Sequence, residues 1–152
     1  MSANINPYDA FNFIVAIDGV PAAAFSDCIL PTVSIEPIEY REGSDSVENI
    51  HKFPGLVKFG YLILKRGLSN SPDSTVIWNW LNGFLQGNGS MKSITVNMLN
   101  GKKVPVFQWS FTNAWPTKYD APPLSGKTSA FAIETLEVAV EGMTFTSLGQ
   151  GA

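Results

Sequence analysis

A mainly β domain is what this sequence predicts: antiparallel strands closed as a barrel or packed as a sandwich, one amphipathic helix on the flank, and one long extended arm. Three observations carry the prediction. Short apolar runs of period two recur along the chain between turn residues. One run only, at about 72–87, repeats with the helical period. A polar stretch at about 41–54 separates two strand-like runs, and it is far longer than the roughly two to five residues of a hairpin loop.

In chain order, Phe11, Phe13, Val15 and Ile17 alternate with Asn12, Ile14, Ala16 and Asp18, which predicts a strand. Asp18-Gly19 tolerates the positive φ of a two-residue hairpin turn, and residues 20–25 are the return, confined by Pro21 to an edge or a strand start. Residues 32–40 set Val33 and Ile35 against Ser34 and Glu36, and Pro37 predicts an edge strand with a kink or bulge. Beyond the arm the pattern resumes over 57–65, with Phe59, Tyr61 and Ile63 on one side and Leu62 and Leu64 on the other, a strand covered on both faces.

The helix places Val76, Ile77, Trp80, Leu81, Phe84 and Leu85 at helical spacing, with Ser71, Pro72 and Asp73 suited to its first turn and Gly87 to its end. Trp78 and Trp80 lie about 200° apart on the helical wheel, so one of them must leave the core stripe. Next, Ser93, Thr95 and Asn97 alternate with Ile94, Val96 and Met98, and Asn100-Gly101 follows as a hairpin signal. The return over 104–115 puts Phe107, Trp109 and Phe111 inward and Gln108, Ser110 and Thr112 outward, ending at Trp115-Pro116. A last strand over 133–141 opposes Leu136, Val138 and Val140 to Thr135, Glu137 and Glu141. The outward faces of these three strands are neutral polar or acidic, with almost no positive charge. Such a face is either an ordinary solvated surface or the wall of a water-filled channel, for which Ser93, Thr95, Asn97, Gln108, Ser110, Thr112, Thr135 and Glu137 are the candidate lumen-facing residues.

The 152 residues suffice for a single domain, 1–152, with its own core. At 45% apolar and only 15% charged, the chain must leave much of its surface neutral or apolar, as an interface does. A net charge of −3 with scattered Lys and Arg lacks the footprint of a nucleic-acid binder, so no sequence-specific nucleic-acid binding is expected. Cys28 alone forms no disulfide framework and no CxxC motif. His51 is the one histidine and stands in the arm outside any nucleophile motif. Glu36, Glu39, Glu42 and Asp45 are read as solvated or paired with Arg41 rather than as an acid/base pair. Phosphate-loop and dinucleotide motifs are missing, and the Asn88-Gly89-Ser90 sequon lacks a secretion signal to give it meaning. The expectation is a protein that is not an enzyme and needs no cofactor or metal, made in the cytosol and without a membrane-spanning segment.

Taken together, NPYDAFNFIVAIDG, IEYREG, KFPGLVKFGYLILKRG, WNWL, FQWSFTNAWP and AIETLEVAVEG resemble, in that order, the tail-tube (inner tube) family of contractile phages and phage-tail-like contractile injection systems. The resemblance covers about 6–142. It implies a structural protein: β-barrel subunits with a flanking helix form hexameric rings whose sheets join around a lumen, and the rings stack into a tube. The implied partners are further copies of the chain, a surrounding sheath, baseplate or spike and tube-terminator proteins, and a cargo of DNA or protein in the lumen. Sheath contraction drives such a tube through a target envelope. The implied setting is a virion tail or an injection particle, released or membrane-anchored. The fold also resembles the tube protein of type VI secretion.

On this resemblance the arm is an inter-ring or inter-subunit contact. That role is carried onto Tyr40, Arg41, Glu42, Gly43, Ser44, Asp45, Asn49, His51, Lys52, Phe53 and Pro54, where Arg41, Glu42 and Gly43 match the family's YREG signature. Trp109, Asn113, Ala114, Trp115 and Pro116 are read as core and corner. The residues alone also fit a monomeric β-barrel module that binds a small apolar ligand or a glycan; rings against a monomer with a pocket separate the two readings.

Overall fold

The computed structural model describes residues 12–21, 25–40, 50–68, 75–127 and 132–149. Strand β1 (Phe13–Ile17) turns into β2 (Val20–Pro21), followed by β3 (Asp27–Ile29), β4 (Val33–Tyr40), β5 (His51–Phe59) and β6 (Leu62–Gly67). Helix α1 (Val76–Leu85) comes next, and then β7 (Lys92–Leu99), β8 (Pro105–Asp120), β9 (Ile133–Ala139) and β10 (Gly142–Ser147). Eight strands form one antiparallel sheet in the order β2-β1-β7-β8-β9-β6-β3 with β10 on β8, and β4 and β5 form a separate two-stranded ribbon.

The 16-residue β8 organises the sheet. Its first half pairs β7 along one edge and β10 along the other, and from Trp115 onward it pairs β9. Asn113, at φ 50°, turns the chain at the handover. The two halves of the sheet therefore share one core, in which Val15, Ile94, Val96 and Phe111 of the first meet Leu62, Leu64, Leu136 and Val138 of the second. Ile77 and Trp80 of α1 close part of that core, with Trp80 7% exposed, whereas Trp78 is 43% exposed and lies edge-on to Tyr119. One tryptophan has left the stripe, as the wheel requires. Gly87 ends the helix with φ 84°: its N–H donates to Phe84 O and that of Asn88 to Gly83 O, the two bonds of a Schellman cap. The helix itself stops at Leu85 rather than 87, and the expected N-cap residues 71–73 lie outside the described residues.

The turn at Asp18-Gly19 has positive φ at both residues, 53° and 79°, and sets Ile17 opposite Val20 as expected. Three expectations are corrected. The run 57–65 is not one strand covered on both faces: it breaks at Gly60-Tyr61, where the Gly60 N–H donates to Thr32 O, because β5 pairs β4 while β6 pairs β3 and β9. The hairpin that Asn100-Gly101 signals joins β7 to β8 as expected. Lys103 N–H donates to Asn100 O, Asn100 N–H to Val104 O, and Lys103 takes the left-handed φ of 65° in a three-residue loop. Asn100 Oδ1 holds that loop by accepting from the N–H groups of Lys102 and Val104. The strand over 104–115 does not end at Trp115-Pro116, since a register shift between Pro116 and Lys118 absorbs the missing proline donor. The last strand stops at Ala139, and a further strand, β10, follows it.

Candidate assembly surfaces

The ribbon of β4 and β5 is built from two alternating sequences and carries an apolar patch on each face. In β4 the apolar residues sit at 33 and 35 and again at 38 and 40, so strict alternation would send them to opposite faces. The register shift between Ile35 and Pro37 leaves this as it is: Gly55 and Leu56 of β5 stand against Glu36 alone, so the extra residue belongs to β5 and β4 keeps its alternation. Val33 pairs Phe59, Ile35 pairs Val57, Ile38 pairs Phe53 and Tyr40 pairs His51, and cross-strand partners share a face. One face therefore carries Val33, Ile35, Val57 and Phe59 on one side of the irregularity, and the opposite face carries Ile38, Tyr40 and Phe53 on the other side of it. Behind the first patch Ser34 stands opposite Lys58, behind the second Glu39 stands opposite Lys52, and Lys58 Nζ lies 3.3 Å from Glu36 Oε1. Gly55 lets the strands close, because a Cβ there would stand 2.6 Å from Glu36 O.

Both apolar patches have little cover: Val33, Ile35, Ile38, Tyr40, Phe53 and Val57 are 46–56% exposed. A lone two-stranded ribbon is marginal in water, so these patches ask for a partner. Of the expected arm residues, Tyr40, His51, Lys52, Phe53 and Pro54 are strand residues of the ribbon, and the rings of Tyr40 and Phe53 lie 6.2 Å apart. The extended arm is thus shorter than 41–54 by its last four residues. Arg41, Glu42, Gly43, Ser44, Asp45 and Asn49 lie outside the described residues.

The second surface is the face of β1, β7, β8 and β10 turned away from the core. Register places Ile14, Asn97, Gln108 and Thr146 in one row across the four strands, and Ala16, Thr95, Ser110 and Thr144 in the next. Gln108 Nε2 donates to Ser110 Oγ at 3.0 Å, and Asn97 Oδ1 is buried without a hydrogen-bond partner. Thr112 stands opposite Gly142 at one end of β10. Ser93 is tied into the first turn, its N–H and hydroxyl both donating to Asp18 Oδ1. That backbone bond, helped by Lys92, holds the Asp18 carboxyl below its usual range. None of residues 13–17, 93–99, 105–112 and 142–147 is Asp, Glu, Lys, Arg or His. Thr144 and Thr146 were not expected here, because β10 was not. Thr135 and Glu137 are not in this group: they lie on β9, opposite Lys65 and Ile63 of β6.

Beneath the second half sits a buried ion pair that sequence reading passed over. Arg66 and Glu134 are 4% and 2% exposed, and Glu134 Oε1 accepts from Arg66 Nε at 3.0 Å and Nη2 at 2.7 Å. Tyr119 donates its hydroxyl to the other oxygen, Oε2, at 2.6 Å, and Arg66 lies 6.0 Å from the centre of the Phe25 ring. Burial, with the Glu134 carboxylate adding to it, pushes the Tyr119 hydroxyl up to about 12. The signal was present: Arg66 has the parity of Leu62 and Leu64, and Glu134 that of Leu136 and Val138.

A cleft of about 490 Å³ opens between Phe13, Val96, Met98 and Trp109 on one side of the sheet and residues 26–30 with Lys65 on the other. Burial pushes the thiol of Cys28, which lines it, up to about 12, so it is no nucleophile at neutral pH. Among the described residues no cluster of His, Cys, Asp or Glu could hold a metal ion, and no helix is long and apolar enough to cross a membrane.

A strand-rich subunit with an uncovered ribbon and a polar sheet face belongs to the class of self-assembling structural proteins. The chain is a member of the T4-like virus tail tube protein gp19 family, whose model matches residues 9–144. It is a structural tail-tube subunit. Solved structures agree in fold. A chain of the PVC sheath–tube complex, an extracellular contractile injection system in its extended state, is 23% identical, with 95% of this chain and 94% of that one covered and a TM-score of 0.83. A chain of the tube-terminating cap of the anti-feeding prophage is 20% identical, with 97% and 95% covered and a TM-score of 0.84. Hcp1 from Flavobacterium johnsoniae is more distant, at 14% identity, 90% and 96% covered and a TM-score of 0.55. No curated protein sequence matches the chain.

Proposed function

We propose that residues 1–152 act as one tube domain that assembles as hexameric rings, and that the rings stack into the hollow inner tube of a contractile injection apparatus. The observation that carries this is the ribbon, whose apolar patches find little cover among the described residues and would find it on another copy. Residues 40–54 would make the contact between copies, and the polar face of β1, β7, β8 and β10 would line the lumen. The related chains come from a sheath–tube complex, a baseplate and a tube-terminating cap. By analogy, this chain meets a sheath on its outside, a baseplate or spike at one end and a terminator at the other. Sheath contraction would drive the tube through a target envelope, with cargo in the lumen. Assembly would take place in the cytoplasm of the producing cell, and the tube would be part of a phage tail or an injection particle.

Negative-stain electron microscopy of the full chain over a range of concentrations, with light scattering, tests the reading. Rings or hollow tubes of even width are expected, and a monomer at every concentration would refute it. Deleting residues 44–49 should leave a folded subunit that no longer stacks; normal polymerisation of that variant would remove the contact from the arm.

A further inference from the structure

We infer that the cargo of this tube is polypeptide bearing charges of both signs, rather than nucleic acid. The inference rests on the tube reading above and on the polar face being the lumen wall. What points to it is the chemistry of that face. Thr95, Asn97, Gln108, Ser110, Thr144 and Thr146 offer hydroxyls and amides, and the stretches that form this face, 13–17, 93–99, 105–112 and 142–147, contain no ionisable side chain. Rotational symmetry repeats whatever one copy presents, so a wall without charge in one subunit is without charge all round.

A cargo of a single sign is best kept moving by a wall of the same sign, whose repulsion reaches about 8 Å at physiological salt. Cargo of mixed sign cannot be served that way. Any charged wall pairs with half of its groups, and only an uncharged one holds neither. Nucleic acid gains little from such a wall. Duplex DNA presents a phosphate charge about every 1.7 Å, and Ser, Thr, Asn and Gln are ordinary phosphate ligands. Their hydrogen bonds to a charged acceptor are roughly twice as strong as those between neutral groups. A hydroxyl and amide wall without like charge would therefore retain phosphate along its length. Toward a peptide the same groups merely exchange bonds with those that water already makes.

The test uses tubes of the full chain assembled around fluorescent probes of matched length: cationic, anionic and balanced peptides, and a single-stranded oligonucleotide. Release after removal of free probe is followed over time. The three peptides should leave within about twofold of one another whatever the salt. The oligonucleotide should leave about tenfold more slowly at low salt and faster as salt rises. Thr95→Glu, or Ser110→Glu on the neighbouring strand, should speed the oligonucleotide and slow the cationic peptide. Release of the oligonucleotide as fast as the peptides, or sorting of the peptides by sign in the unmodified tube, would overturn the inference. Two other failures are separable from this one. In a Cys28→Ser background, Thr95→Cys in assembled tubes should react with a small maleimide and resist a polymer-coupled one. Labelling by the bulky reagent would put the face outside the lumen, and a chain that forms no tubes would overturn the function itself.

Discussion

Replacing Arg66 by Met is the sharpest test of how the core is held. Glu134 is 2% exposed, and both of its short bonds on Oε1 come from Arg66, leaving Tyr119 as the donor to Oε2. Removing the guanidinium strands a buried carboxylate, and breaking such pairs costs about 3–5 kcal/mol. For a chain of this length each kcal/mol lowers Tm by roughly 2–4 °C, so the expected fall is about 6–20 °C. In Arg66→Met/Glu134→Leu no charge remains to be stranded, so the loss should be smaller than in the single variant. Thermal and urea unfolding by circular dichroism, at concentrations where the chain is monomeric, measures both variants. The double variant should be the more stable of the two. If Arg66→Met costs less than about 1 kcal/mol, or if the double variant is no better than the single one, the pair is not the buried, mutually dependent contact described above.

Other outcomes follow from the same geometry. Tyr119 is raised from 10.0 to about 12, so the folded state keeps a proton that the unfolded state releases; its contribution is intact below pH 10 and lost as pH rises toward 12, and Tyr119→Phe should remove that part of the alkaline loss seen in pH-dependent unfolding. Asp18 is shifted the other way, below 3.8, so its contribution is present above that pH and lost in acid; unfolding curves of Asp18→Asn should differ from the parent at neutral pH and converge as pH falls through the folded value. Phe53→Asp puts a charge into the apolar patch of Ile38 and Tyr40 at a half-exposed site, so monomer stability should change by no more than about 0.5 kcal/mol while electron microscopy shows assembly lost; Lys58→Gln, which removes only the exposed pair with Glu36, should change neither. Gly55→Val, whose Cβ meets Glu36 O at 2.6 Å, should splay the ribbon and impair assembly with little effect on the Tm of the main sheet.

Local chemistry was legible in the sequence where one residue decides the geometry. Asp18-Gly19 announced its turn, Pro37 its bulge, and the 200° between Trp78 and Trp80 one exposed indole. Alternation in β7 and β8 put Phe111 inside and brought Thr95, Asn97, Gln108 and Ser110 to one surface. What failed to show was partner choice. Pro116 reads as a stop because a central strand cannot spare a donor, yet β8 changes neighbours there and the irregularity absorbs the loss. Gly60 and Tyr61 look like strand residues until it is known that β5 and β6 pair different strands. Thr135 and Glu137 were grouped with the other polar residues by pattern alone, and pattern carries no information on which half of the sheet a strand joins. The pairing of Arg66 with Glu134 depends on a register across 68 positions of sequence, which neither run reveals by itself.

The residue that β5 holds in excess also makes the ribbon two-sided. Gly55 and Leu56 stand against Glu36 alone, so the pairs before and after them show their apolar members to opposite faces. One residue added between Ile35 and Pro37 would restore continuous pairing and bring Ile38, Tyr40 and Phe53 round to the side of Val33 and Val57. A ribbon with all its apolar residues on one side could meet a single neighbour, whereas this one could be clasped between two.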